Sequence, residues 1–356
     1  MPVSRVARVH RSLARRTPAL VLTAYLAAVA APGLGCRANR TALIHSPHLS
    51  MPLPAALLGL TLLTSGLSVD PNQLRAVIRR PRMFLVGVTA NVVVPLVLLV
   101  GLSPLIMILL DGTEAQSVLA GLTLVAAMPV GGTAAAWTAS QRGNTALGVG
   151  LVLGSVAVSP LTIPLGLSVG SLLALGDYAD DLSRLTTASG GATAVLSALV
   201  PCLLGIAVRM LLRERIDPAL PAVRLITLLD IVLLAYVNAS GTLGRLLAAG
   251  DADFLLAVTG SAAVMCLGSF ALGWLLSRGV RSSRADAIAL TYATGLNNAS
   301  MGAVLGSAGL RDHPLVLAPV LTVSVLQMLT AGLFARLLDR PAKPARSECR
   351  LPPDHR

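Results

Sequence analysis

Ten stretches of this chain are long and apolar enough to cross a lipid bilayer, and the loops between them alternate in charge. A span needs about 20 mostly apolar residues. Runs at 18–36, 49–68, 83–109, 116–140, 145–174, 188–211, 220–243, 254–277, 285–307 and 314–337 fit that requirement, the first being short and the fifth long enough to tilt. With the N-terminus inside and strict alternation, 23 of the 28 Lys and Arg residues fall on the inner side and 5 on the outer side. The inner groups include Arg5, Arg8, Arg11, Arg15 and Arg16, then Arg79, Arg80 and Arg82, and later Arg278, Arg281 and Arg284. The outer loops carry acids instead, among them Asp111, Glu114, Asp177, Asp180, Asp181 and Asp312. Basic loops stay cytoplasmic, and one missed or extra span would scramble the alternation downstream. The pattern predicts an all-α integral membrane protein of ten transmembrane helices, multi-pass in the plasma membrane, with both termini cytoplasmic.

Composition excludes other classes. The chain is 54% hydrophobic and 12% charged, with a mean hydropathy of +0.77, whereas soluble domains carry about 25% charged residues. The net charge of +12 invites a nucleic-acid reading, but the arginines flank apolar runs, and two Trp, four Tyr and four Phe offer little for base stacking. Cys36, Cys202, Cys266 and Cys349 are far apart and have no His cluster beside them, so they read as small hydrophobes and no metal site is expected. No Asp-rich metal motif, HExxH or nucleophile elbow is present, and no enzyme is expected. Basic residues followed by the apolar run from Pro18 to Pro32 have the layout of a signal peptide. The many spans that follow favour a first transmembrane helix. Residues 1–17 read as a basic cytoplasmic segment, 18–337 as the membrane domain and the Pro-rich 338–356 as a disordered cytoplasmic tail.

Two of the ten runs are interrupted near their middles. The first break contains Pro129, Gly131, Gly132 and Thr133, and the second contains Gly295, Asn297 and Asn298. Hydrocarbon gives freed backbone groups no partner, so broken helices persist only where protein or a wet cavity replaces the missing bonds. Five plus five spans make two halves of opposite orientation, and the breaks fall in the fourth span of each, as an inverted repeat predicts. At the first break, Pro129 removes a donor and Gly131-Gly132 permits close backbone approach. The freed N–H groups and the N-terminus of the second half-helix suit an anion; a Pro-kinked, tightly packed helix is the other reading. At the second, adjacent asparagines point about 100° apart on a helix, so both must find protein or water. They are candidate ligands for a substrate or hydrogen bonds between helices. Asp230, well inside the seventh run, is an ionisable residue in a span and therefore a functional candidate: a proton-coupling carboxylate, or an acid satisfied structurally near Arg224 or a wet crevice.

Arg79-Arg80-Pro81-Arg82 before a span, Pro95 within it, Pro129-x-Gly-Gly-Thr-Ala, Gly143-Asn144 opening the next span and Gly295-x-Asn-Asn follow one another in that order. Together, from about residue 50 to 335, they resemble the bile acid:sodium symporter family. The resemblance implies a panel domain (18–68 and 188–243) and a core domain (83–174 and 254–337) in which the two discontinuous helices cross. It further implies secondary active transport of organic anions, bile-acid-like or small carboxylates, and assigns Thr133, Asn297 and Asn298 to the binding site. Ala293 stands where the family has a glutamate shared by two sodium sites, and Ala135, Ala136, Gly148, Val152 and Ala90 replace other oxygen ligands, Asn91 lying one residue from the last. Na⁺ and H⁺ both stay open as coupling ions, the side-chain ligands for Na⁺ being missing. A related exporter and a non-transporting membrane sensor or scaffold are the rival functions.

Overall fold

Prolines and small polar caps open several of the helices of this chain. The computed structural model describes residues 5–14, 17–46, 49–68, 81–190, 192–240 and 252–338. Its helices are α1 (Arg5–Ala14), α2 (Thr17–Ala30), α3 (Pro32–Arg40), α4 (Leu53–Leu67), α5 (Pro81–Leu109), α6 (Gly112–Ala126) and α7 (Thr133–Ser140). There follow α8 (Thr145–Leu173), α9 (Asp177–Gly190), α10 (Ala192–Leu211), α11 (Arg213–Ser240), α12 (Ala252–Gly279), α13 (Arg284–Gly295), α14 (Ala299–Gly309) and α15 (Leu317–Leu338). A 3₁₀ turn, Pro314–Val316, leads into α15. Side chains cap several starts: the Asn144 carboxamide accepts from Leu147 N at 3.1 Å, and the Ser283 hydroxyl from Asp286 N at 3.1 Å.

Among the described residues, five helices are long and apolar enough to cross a membrane by themselves: α5, α8, α11, α12 and the Pro314–Leu338 segment. The long helices turn large apolar side chains outward. Ile108, Leu161 and Leu172 are 80%, 76% and 85% exposed, a cost in water that lipid removes. The protein is a helical membrane protein.

Several boundaries differ from the sequence expectation. The first run, 18–36, is not one straight helix: it bends by 99° between Ala30 and Pro32, because a proline has no N–H to continue the ladder and restricts the residue before it. The second, 49–68, begins as helix only at Leu53. Residues Leu49–Pro52 instead form a strand antiparallel to Ala42–Ser46, a short hairpin in an otherwise helical architecture. The charged stretch 212–218 is not a loop. Helix α11 starts at Arg213, with only Leu212 between it and the end of α10, and Arg209 of α10 pairs with Asp217 of α11 across the corner. The basic N-terminal segment contains helix α1, and the outer loop expected after the fifth run contains helix α9. Leu182 and Leu185 are buried on α9, and Tyr178 stacks on His313 with ring centroids 3.9 Å apart. The tail beyond Leu338, and 241–243 at the end of the seventh run, lie outside the described residues.

Two sets of helices pack internally. Helix α4 lies against α10 and α11, and α2 and α3 against α11. The α4–α10 contact is backbone on backbone: a Cβ on Gly66 would come within 2.3 Å of the Cys202 carbonyl, and one on Gly205 within 2.2 Å of the Leu63 carbonyl. Small residues at such crossings are what membrane packing selects, because dispersion there replaces the hydrophobic effect. In the other set α12 packs on α13 and α15, and α5 on α6 and α8. Its core joins Leu99, Leu119, Leu122 and Leu167 in one cluster and gathers Tyr292, Phe270 and Leu290 in a second. Along the seam between the sets, Leu57, Leu58 and Leu62 of α4 and Leu234 of α11 meet Met301 and Val304 of α14.

Candidate functional site

Each broken run supplies the backbone partners that the other lacks. Helix α6 stops at Ala126, and α7 starts at Thr133; α13 stops at Gly295, and α14 starts at Ala299. Between these ends, Val130 and Asn297 form an antiparallel β-bridge. Gly131 N donates to the Leu296 carbonyl at 2.7 Å, and Asn298 N donates to the Pro129 carbonyl at 2.9 Å. The remaining inward amide, Val130 N, donates to Ser155 Oγ of α8 at 3.0 Å. Freed backbone groups in the membrane interior are thereby satisfied by protein. The approach leaves little room for a side chain at Gly131, where a Cβ would lie 3.2 Å from the Asn297 carbonyl oxygen and 3.3 Å from that of Leu296.

The two asparagines do different work. Asn297 is buried, and its carboxamide is spent on protein: Nδ2 donates to the Val125 carbonyl at 2.9 Å, and Oδ1 accepts from Asn91 Nδ2 of α5 at 3.0 Å. It is a strut joining the second break to the end of α6 and to α5. Asn298 is half-buried, and its Oδ1 caps α14 by accepting from Met301 N at 3.1 Å. Its Nδ2 has no hydrogen-bond partner among the described residues.

Around Asn298 lie the other accessible groups of the breaks. Gly132 is exposed and Thr133 half-buried, and neither backbone N–H has a partner among the described residues. They open α7 just as Asn298 opens α14, so two helix N-termini start at the paired breaks. Both present the positive end of a helix dipole; the free amide donors are those of Gly132 and Thr133 at α7, whereas at α14 Ala299 N donates to the Asn297 carbonyl and Met301 N to Asn298. Ser65 of α4 closes the neighbourhood from the other helix set: its Oγ would sit 3.7 Å from a Cβ at Gly132. Gly295 is buried against the Phe270 ring, away from this surface.

Asp230 is not part of the paired breaks. It is 5% exposed on α11, where its Oδ2 accepts from Thr61 Oγ1 at 2.6 Å. Gly143-Asn144 lies at the start of α8, where Asn144 Nδ2 donates to Asp286 Oδ1 at 2.7 Å and ties that end to the start of α13.

A sequence model of the Sodium Bile acid symporter family matches residues 55–249, more than half of the chain. The chain belongs to the sodium bile acid symporter family. It is similar to YocS of Bacillus subtilis (strain 168), described as an uncharacterized sodium-dependent transporter, at 24% identity over 287 residues, which is 80% of this chain and 83% of YocS. It is also similar to YbaS of the same organism, an uncharacterized protein, at 27% identity over 228 residues, 62% of this chain and 68% of YbaS. As a member of this symporter family, the protein is a membrane transporter.

Against the family pattern, the surroundings of the second break are poor in hard ligands. Ala293 is fully buried with only a methyl group to offer, and the Asn297 oxygen already receives an amide proton from Asn91. No group of three or more His, Cys, Asp or Glu residues is placed to hold a metal ion among the described residues. Ser155, Thr61 and Ser65 escaped the sequence reading, and Asn91 entered it only as a neighbour of a missing ligand. Their signal was faint but present: single polar residues inside apolar runs, with Thr61 and Ser65 four apart on one helix face.

Proposed function

We propose that this family member is a secondary transporter of organic anions, bile-acid-like or small carboxylates, and that it works by alternating access. In this reading ten spans form two inverted five-helix repeats in the plasma membrane, with both termini cytoplasmic. The core (83–174 and 254–337) moves against the panel (18–68 and 188–243) along the seam where Ser65 meets Gly132. The anion binds at the core side of that seam, held by Thr133, by the free Asn298 carboxamide and by the unpaired N–H groups of Gly132 and Thr133.

The observation that carries the reading is the pair of helix N-termini, α7 and α14, opening together at mutually bonded breaks. Half-helix N-termini at a repeat interface suit anionic groups without a formal positive charge. Asn297 holds this geometry in place and does not itself contact the anion. The description of YocS as sodium-dependent makes Na⁺ one coupling ion to test, while the alanine at position 293 speaks for another ion.

Purified protein in proteoliposomes, given radiolabelled taurocholate or pyruvate under separately imposed Na⁺ and H⁺ gradients, tests the reading. The expected result is gradient-driven uptake of one of them that Asn298→Ala abolishes at normal expression. Saturable binding without flux in wild-type protein would replace the transporter by a sensor that retains the fold.

A further inference from the structure

Among the described residues, two buried side-chain oxygens lack a hydrogen-bond partner, Asp230 Oδ1 and Asn238 Oδ1, and both lie on α11. An unpaired buried carboxylate is among the more expensive features a helix can carry in a membrane. Here no basic side chain forms an ion pair with Asp230 among the described residues. Thr61 Oγ1 donates to Oδ2 at 2.6 Å, and Leu234, one turn further along α11, joins the apolar cluster with Leu57, Leu58 and Leu62 of α4. The helices packed on α11 bring no carboxylate. Helices α4 and α14 carry no titratable residue, α2 brings Tyr25, α10 brings Cys202 and Arg209, α3 brings Cys36 and Arg37, and α1 brings Arg8 beside its remaining basic residues. Of these, Arg209 is paired with Asp217.

Asp230 is also wired to the anion site. Thr61, which holds its Oδ2, accepts at its carbonyl from Ser65 Oγ at 2.7 Å, and Ser65 is the residue facing Gly132 at the first break. The link runs along one face of α4, the helix lining the seam. A change of charge at Asp230 thus bears on the helix against which the binding site moves.

We propose that Asp230 is a proton-binding site that couples H⁺ to the anion: a proton from the water on one side attaches to Oδ1, is carried through the conformational change and is released as H⁺ on the other side. The free oxygen takes one proton and the neutral acid keeps its Thr61 hydrogen bond, whereas a hard metal cation needs several oxygen ligands that this site lacks. One proton moving with one monoanion makes the cycle electroneutral. This inference rests on the transport reading above, and its test separates the two.

The first measurement needs no substrate. Difference infrared spectra of the full-length protein in liposomes, taken across a pH series, are expected to show the C=O band of a protonated carboxylic acid in wild type that is missing in Asp230→Asn. Asp230→Glu restores a band, and Thr61→Val, which removes the hydroxyl donor, shifts the pH at which it appears. The second measurement is accumulation of labelled taurocholate or pyruvate. One proton per anion across a one-unit pH gradient, inside alkaline, gives a roughly tenfold accumulation, unchanged by a valinomycin-imposed potential. Asp230→Asn is expected to accumulate nothing, and Asp230→Glu to recover accumulation. Absence of the titrating band, wild-type accumulation by Asp230→Asn, or accumulation that follows Na⁺ and ignores H⁺ would overturn the proposal. A titrating Asp230 band with no flux of either anion would uphold the protonation site and sink the transport reading instead.

Discussion

The hydrogen bond between Asn91 and Asn297 gives the sharpest test of how the two breaks are held. Asn297→Ala removes two bonds, the 2.9 Å bond to the Val125 carbonyl and the 3.0 Å bond from Asn91. Interhelical hydrogen bonds in membrane proteins average about 0.6 kcal/mol and reach about 1.7, so the loss should be about 1–3 kcal/mol. That is roughly a 5- to 150-fold shift in the unfolding equilibrium. Asn91→Ala removes the shared bond together with a long 3.5 Å contact from Asn91 Nδ2 to the Ala293 carbonyl, and should cost about 0.6–1.7 kcal/mol. The double variant counts that bond once, so its loss should fall short of the sum of the singles by the same ~0.6–1.7 kcal/mol. Reversible unfolding in mixed detergent micelles, followed by tryptophan fluorescence, measures all four corners of the cycle. Trp137 is a suitable reporter, since it stacks on Tyr292 of the second broken run at 5.9 Å between ring centroids. If the two losses instead add within about 0.3–0.5 kcal/mol, the bond does not form and Asn297 is free to act as a ligand.

Three further outcomes follow from the geometry. Asn298→Ser keeps a capping oxygen for Met301 N but lacks the amide donor, so it should keep its stability yet lose uptake; Asn298→Ala should also lose about 0.5–2 kcal/mol of cap energy in the same unfolding assay. Ser155→Ala orphans the buried Val130 N–H and should destabilise by about 1–3 kcal/mol, with faster hydrogen exchange at Val130 as the local signature. Gly205→Leu forces a side chain into the Leu63 backbone, 2.2 Å from its first carbon, and should cost about 1–3 kcal/mol or more, seen as a lower melting temperature. Uptake per folded molecule should then be unchanged unless the α4–α10 pair moves during transport.

The chain alone determined that the protein is helical and membrane-embedded, and where its two critical helices break. Run length, loop charge and the positions of Pro129, Gly131, Gly132 and Gly295 are local properties, readable because hydrocarbon tolerates so few backbone arrangements. The bend at Pro32 was equally local, and the length criterion overran it. The amphipathic helix α9 escaped because a search for apolar runs passes over a helix buried on one face only. What the tertiary structure alone decided is which groups meet. Val130 and Asn297 are 167 positions apart, yet their bridge satisfies both breaks, and no periodicity in sequence encodes such a pairing. The same holds for the asparagines: adjacent and chemically identical in sequence, they part company because Asn91 and Val125 claim one carboxamide, while the start of α14 takes only the oxygen of the other. Asp230 could be recognised in sequence as an acid in a span, but Thr61 on one of its oxygens and no partner among the described residues on the other are facts of packing. A residue's type is written in the chain, whereas its unmet hydrogen bonds depend on neighbours that only folding brings near.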